Sequence, residues 1–253
     1  MNTIKRTTKV LILLAENPRR FTDIAKELEL TKSTAHRLLI ALKQAELIKK
    51  NPLSGLYHLG PLISQLAANP ISEHQFLIVC SIEEMRRLRD LSGETVTLQV
   101  SLGTERICLE EIQSRESIKY VSGKGSIYPI FVGSAGKMLL SMLDNDQINI
   151  LMRKFYYDPL APNPVKNPED LWKGIELARR MGHSTSFGER ISGSASVAVP
   201  IADYICPAIL NILGPADRFT KDSISEILEE MKRSAVRISK ESVTSGKAGD
   251  LKF

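Results

Sequence analysis

Apolar residues in the first quarter of the chain recur every three or four positions, the spacing that places them on one side of a helix. Val10, Leu11, Leu13 and Leu14 form such a face, ended by Asn17-Pro18, since proline lacks an N–H and disfavours helix in the residue before it. A second helix is predicted from Thr22, whose hydroxyl is placed to cap it, with Phe21, Ile24, Ala25 and Leu28 as its apolar side. Glu29-Leu30-Thr31 is a three-residue turn into a third helix, where Ala35, Leu38, Leu39 and Leu42 repeat the spacing and Thr31 is the expected N-cap. Leu47–Lys50 and Leu56–Leu59 then read as short strands around the turn residues Asn51-Pro52-Leu53-Ser54-Gly55. Two amphipathic helices, a tight turn, a longer third helix and a hairpin amount to a winged helix-turn-helix.

Gly60-Pro61 and Asn69-Pro70 bracket a short helical piece, Leu62–Ala68, and mark a boundary. A helix follows over Gln75–Leu91, with Ile78, Ile82, Met85 and Leu88 as its stripe and Ser92-Gly93 as its stop. The period then changes. Val96, Leu98, Val100 and Leu102 alternate with Thr95, Thr97, Gln99 and Ser101, the mark of an amphipathic strand. Further strands are expected at Arg106–Gln113 and Ile118–Val121, and near 183–187, 195–201 and 207–213. Helices are expected from the small-residue turn Gly133-Ser134-Ala135-Gly136 into Lys137–Leu143, at Asp146–Lys154, at Pro168–Met181 and at Lys221–Lys240, the last capped by Thr220. Strands that neighbour one another, instead of alternating with helices, argue for an antiparallel α+β sheet over a doubly wound nucleotide fold. The predicted organisation is a head over 1–60, a helical linker over 61–74, a larger domain over 75–241 and a flexible polar tail over 242–253.

Charge separates the two domains. The chain carries 34 Lys or Arg and 29 Asp or Glu, and residues 1–60 hold 11 of the former but only 5 of the latter. The excess of positive charge therefore lies in the head, which points to a polyanionic partner for that part. No stretch reaches the roughly 20 apolar residues of a membrane span. The apolar run Val10–Ala15, about six residues, is too short for the core of a signal peptide. A cytoplasmic location is expected. Cys80, Cys108 and Cys206 are scattered, as are His36, His58, His74 and His183. No metal spacing exists and no cofactor is expected, although a metal site assembled from distant segments stays open.

On the third helix Lys32, Ser33, His36, Arg37 and Lys43 fall away from the leucine stripe. Arginine grips guanine edges bidentately, and serine and threonine reach phosphates or bases at close approach. The predicted contact set for double-stranded DNA is Thr22, Thr31, Lys32, Ser33, Thr34, His36, Arg37 and Lys43, with Lys49, Lys50 and Tyr57 on the hairpin. A winged-helix adaptor that binds protein is the rival reading.

The string Thr31-Lys32-Ser33-Thr34-Ala35-His36-Arg37-Leu38-Leu39, followed by Leu42, Ile48 and the hairpin close Tyr57-His58-Leu59-Gly60, resembles the recognition helix and wing of the IclR family of bacterial transcription regulators. Gly188-Glu189-Arg190 with Gly193 and Ser196–Ile201, Gly214–Thr220 and Ser134–Lys137 are similar to segments of that family's effector domain, so the likeness spans about residues 4–240. It implies a GAF-like sheet with a central pocket for a small organic acid or aromatic metabolite, in a homodimer or tetramer acting on a palindromic operator. A repressor of metabolic or catabolic genes is the expected role. By position, Tyr128, Ser134, Ala135, Ser186, Ser194, Ser196, Asn211 and Leu213 would line the pocket. The helix opening at Ser134-Ala135-Gly136 offers backbone N–H groups and a positive dipole end to an anion. Lys137 is placed to neutralise an anion, though a lysine after a helix start is expected to point to water. Glu189 and Arg190 either gate the pocket or, as the favoured reading, brace their loop. The helices over 62–91 are candidate dimerisation surfaces. Three departures from the family pattern lie near the pocket: Phe131-Val132 replaces a polar or His position, Ser186-Phe187-Gly188 replaces an acidic run, and the hairpin at Asp203-Tyr204-Ile205 lacks a glycine.

Enzyme motifs fail. A phosphate-binding loop ending at Gly136-Lys137 needs Gly at 131 and Ser or Thr at 138, where Phe131 and Met138 stand. No GxSxG elbow surrounds Ser194 or Ser196. The chain is not expected to be an enzyme.

Overall fold

The computed structural model describes residues 3–67, 71–157 and 161–249. The chain divides into two compact units between Ser72 and Glu73, inside the segment expected as a linker. The end of the helical piece at Ala68 and the Asn69-Pro70 break lie outside the described residues.

In the first unit three helices, α1 (Thr3–Glu16), α2 (Phe21–Glu27) and α3 (Lys32–Gln44), precede a two-stranded antiparallel hairpin, β1 (Ile48–Lys50) and β2 (Tyr57–Leu59), and a short helix, α4 (Pro61–Ala67). Val10, Leu14, Ile24, Leu28, Leu39, Leu42 and Ile48 form one buried cluster, the apolar faces legible in the sequence. Thr31 caps α3, accepting the Thr34 N–H at 3.4 Å. Thr22 does not cap α2. Arg20 holds the cap position, and its N–H donates to the Asp23 carboxylate at 3.3 Å. Thr22 lies inside the first turn and donates to Asp23 Oδ1 instead. The hairpin turn closes on Asn51, whose Oδ1 accepts the N–H groups of Leu53 (2.8 Å) and Ser54 (3.1 Å). Backbone bonds between Arg19 and Tyr57 at 3.2 and 2.8 Å tie β2 to the start of α2.

The second unit is built on a six-stranded, wholly antiparallel sheet in the order β5-β4-β3-β8-β7-β6. Its strands are β3 (Thr95–Leu102), β4 (Glu105–Ile112), β5 (Ile127–Pro129), β6 (Ser184–Phe187), β7 (Ser194–Ile201) and β8 (Ala208–Pro215). The helices are α5 (Gln75–Ser92), α6 (Gly133–Ser141), α7 (Asn145–Met152), α8 (Pro168–Met181) and α9 (Lys221–Gly249). α5 and α9 pack together against β3, β4 and β7, and α6 packs with α8 against β6, β7 and β8. The core beneath α6, α7 and α8 joins Ile130, Phe131, Leu139, Leu140, Ile148, Leu171 and Ile175 to Ala198 and Ile209 of the sheet. With helices on both sides, β3 is buried from Thr95 to Val100. Its alternation does not separate core from solvent; it separates an apolar face from a buried polar one.

Two expectations change. The segment Ile118–Val121 is not a strand: Ile118 is exposed, and β4 takes its outer partner from β5. α9 does not stop at Lys240 but runs to Gly249, because residues 241–249 include glycines but no proline to end a helix. At the β7–β8 turn Asp203 adopts a left-handed backbone, φ 56°, doing without the expected glycine.

Candidate DNA-binding face and ligand cavity

On α3 the leucine stripe faces inward and the cations face out. Lys32, Ser33, His36, Arg37 and Lys43 are exposed, as are Thr31, Thr22, Lys49 and Lys50, while Thr34 is half-buried with its hydroxyl accepting from Thr31 at 2.9 Å. The Phe21 ring sits edge-on to His36 with centroids 6.3 Å apart, which restrains the imidazole over the turn. Among the described residues no ion pair involves the head, so Lys32, Arg37, Lys43, Lys49 and Lys50 keep their charge for an outside partner. Tyr57 departs from expectation. It is 8% exposed, part of the head's core, with Lys50 Nζ 5.6 Å from its ring centroid. Register explains this: Tyr57 pairs with Lys50 across the hairpin and turns its ring inward beside Ile48. It supports the wing instead of touching a phosphate.

In the second unit the small residues at the head of α6 meet the polar faces of β3, β7 and β8 around a cavity of about 50 Å³. Seven of the eight predicted pocket residues, Ser134, Ala135, Ser186, Ser194, Ser196, Asn211 and Leu213, line it. A hydrogen-bonded chain crosses its floor. Ser134 Oγ meets Ser196 Oγ at 2.6 Å and donates to Asn211 Oδ1 at 2.9 Å. Asn211 and Gln99 each donate to Thr97 Oγ1, at 3.5 and 2.9 Å, and Gln99 Oε1 accepts Arg106 Nε–H at 3.0 Å. Arg106 also donates to the Pro129 carbonyl. A shift in the β3–β4 register between Leu98 and Gln99 accompanies this arrangement, as bulges beside binding sites commonly do. Gly136 lets α6 approach: a Cβ there would lie 2.0 Å from the Ile130 carbonyl oxygen.

Electrostatically the cavity is cationic. Arg106 is 4% exposed and Arg190 opens onto the same space, with no carboxylate in the lining. Burial, reinforced by the Arg190 charge, pushes the Arg106 guanidinium down to about 9, so it stays protonated at neutral pH. Glu189 is turned elsewhere. One carboxylate oxygen accepts the Gly133 N–H at 2.9 Å and the other pairs with Lys137 at 2.5 Å. The protein's own carboxylate thus takes the first amide of α6, one that would otherwise serve an outside anion. Lys137 is largely buried in that pair and does not point to water, because Glu189 comes within its reach. Tyr128 is the predicted residue that does not line the cavity. Its hydroxyl donates to the Ser122 carbonyl, and its ring stacks with Arg190 (4.5 Å) and Arg106 (5.6 Å). Gln99 and Arg106 were not anticipated from sequence, although the polar alternation of β3 carried the signal for Gln99. Arg190, read from sequence as a gate or a brace of its loop, borders the cavity.

Among the described residues no group of three His, Cys, Asp or Glu is placed to hold a metal, and no helix is long and apolar enough to cross a membrane.

Comparison with known proteins agrees with this architecture. Residues 3–52 match the IclR helix-turn-helix domain, and residues 73–240 match the family described as bacterial transcriptional regulator IclR C-terminal. The HTH-type transcriptional repressor AllR of Escherichia coli K12 is 29% identical over 202 residues, covering 79% of this chain and 74% of that protein. The Thermotoga maritima IclR crystal structure superposes with a TM-score of 0.64 at 23% identity, covering 96% of this chain and 99% of that one. An IclR homolog from Microbacterium hydrocarbonoxydans, complexed with 4-hydroxybenzoate, superposes with a TM-score of 0.61 at 21% identity, covering 96% and 100%.

Proposed function

Because the chain belongs to the IclR family of bacterial transcriptional regulators, we propose that it is a cytoplasmic, ligand-responsive repressor that binds a palindromic operator as a dimer. The observation that carries the DNA reading is the exposed row Lys32, Arg37 and Lys43 on α3, without ion pairs among the described residues and set on a helix whose opposite side is core. Arg37 reads a base edge, and Lys32, Lys49 and Lys50 hold phosphates. One head spans too few base pairs for specificity, so two are required. The apolar side chains that α5 leaves exposed, Phe76, Val79 and Leu91, suit a second copy of the chain.

The ligand of the second unit is a small carboxylate. Two arginines that make no ion pair among the described residues favour an anion, and the hydroxyls of Ser134, Ser186 and Ser196 supply hydrogen bonds to it. At about 10–15 Å³ per water-sized atom, the cavity takes roughly three to five non-hydrogen atoms, the size of a one- to three-carbon acid. Binding there changes operator affinity by favouring one state of the regulator over another.

Selection of duplexes from a randomised pool by the full-length protein, followed by anisotropy titration with and without acetate, tests both parts. The expected result is one enriched palindrome whose affinity falls about tenfold or more with saturating acetate. A pool that shows no enrichment overturns the DNA reading. An affinity indifferent to acetate overturns the coupling.

A further inference from the structure

Beside the small polar cavity lies a second, larger one of about 310 Å³, walled by Tyr128, Pro129, Phe131, Val132, Tyr156 and Val165, with Arg190 at its inner end. The two cavities are separated by the stacked pair Tyr128 and Arg190, whose guanidinium carbon stands 4.5 Å from the ring centroid. Arg190 borders both spaces, and among the described residues it makes no ion pair. The carboxylate of its neighbour Glu189 is committed to Gly133 and Lys137.

We infer that this outer cavity is a second binding site, for a planar aromatic carboxylate whose ring lies among Phe131, Val132 and Tyr156 and whose anionic group meets Arg190. Size separates the two sites. The outer volume holds roughly twenty to thirty water-sized atoms against three to five in the inner one, so of the two only the outer takes a ring. Shape agrees. Phe131 meets Phe155 and Tyr156 in edge-to-face contacts at 5.5 and 6.0 Å, so the wall is an aromatic cluster to which another ring can add. Phe131 is 2% exposed and Tyr156 50% exposed, so the first forms the floor and the second the rim. The Phe131-Val132 pair is thereby explained: an apolar floor serves a ring where a polar residue would have to be desolvated. With Arg190 bordering both cavities, an anion in the outer one draws the guanidinium off Tyr128 and alters the inner site, so each ligand changes the affinity of the other.

Calorimetric titration of the full-length protein with benzoate, and separately with acetate, tests this without DNA. One saturable benzoate site per chain is expected. Val165→Phe, which fills the outer cavity, and Tyr156→Ala, at a half-exposed position that the fold tolerates, each weaken benzoate about tenfold or more and leave acetate unchanged. Ser196→Val, in the inner cavity, weakens acetate and spares benzoate. Absence of saturable benzoate binding overturns the inference. So does benzoate binding that survives both outer substitutions, or that is lost with Ser196→Val. A benzoate site that persists in a protein binding no duplex would sink the regulator reading alone.

Discussion

Arg37 shows how little a single exposed side chain needs from its own protein. It is solvent-exposed on α3 and makes no ion pair among the described residues, so its removal should cost no fold stability. Arg37→Ala is expected to weaken binding to the selected duplex by about 1–3 kcal/mol and to relax preference at one base position. Unchanged duplex affinity in an anisotropy titration would remove Arg37 from the reading set. Glu189 is the opposite case, a carboxylate whose side chain is 11% exposed and which holds both Lys137 and the first amide of α6. Glu189→Gln leaves a buried ammonium without its counter-charge, and urea denaturation should register a loss of about 3 kcal/mol. Parent-like stability would show that the pair contributes nothing. Residue-level legibility followed the same division. Small residues at the head of a helix and hydroxyls on β6 and β7 announced Ser134, Ser186 and Ser196. Arg106 did not announce itself, because a charged residue in a strand normally reads as solvent-facing, and only tertiary packing buries it.

Elements were legible wherever one side of them meets solvent. α1, α2 and α3 declared themselves by apolar spacing, and the hairpin by its turn residues. β3 was visible as a strand but not as one with two covered faces, since alternation looks the same whether the polar side faces water or a buried polar cavity. Ile118–Val121 failed for a related reason: a short apolar run is not a strand without an edge to pair with, and β5 occupies that edge. The join between α5 and α9 also escaped the sequence, because its partners lie some 150 positions apart. There Glu84 accepts from Arg237 (2.5 and 2.8 Å), Ser234 (2.7 Å) and Arg87 (3.2 Å). Arg237 foremost, with Ser234 and Arg87, holds the Glu84 carboxyl down to about 2 against burial, which acts upward. A carboxylate depressed in the folded state stabilises above its unfolded value near 4.5, and that contribution is lost as pH falls from there towards 2. Partial solvent screening limits it to about 1–2 kcal/mol. Chemical denaturation across that range should show wild-type stability declining on acidification more steeply than that of Glu84→Gln. Parallel profiles would contradict the clamp.

At the scale of the whole molecule the charge asymmetry is the governing feature. Cations concentrate in the first 60 residues, and there they remain unpaired among the described residues, whereas the second unit spends its charges on internal ion pairs from Arg86–Glu83 to Arg237–Glu84. One unit is left electrostatically open and the other is largely closed except at its cavities. That division matches a regulator in which one part meets a polyanion and the other a small anion. The most direct test is the salt dependence of duplex binding by the full-length protein. If α3 and the wing neutralise phosphates, the logarithm of affinity falls linearly with that of salt concentration, by about 0.9 per phosphate contact, giving a slope of about −4 or steeper for two heads. Lys49→Ala and Lys50→Ala should each make it shallower by about one per head. A slope near zero, with or without these lysines, would contradict the account.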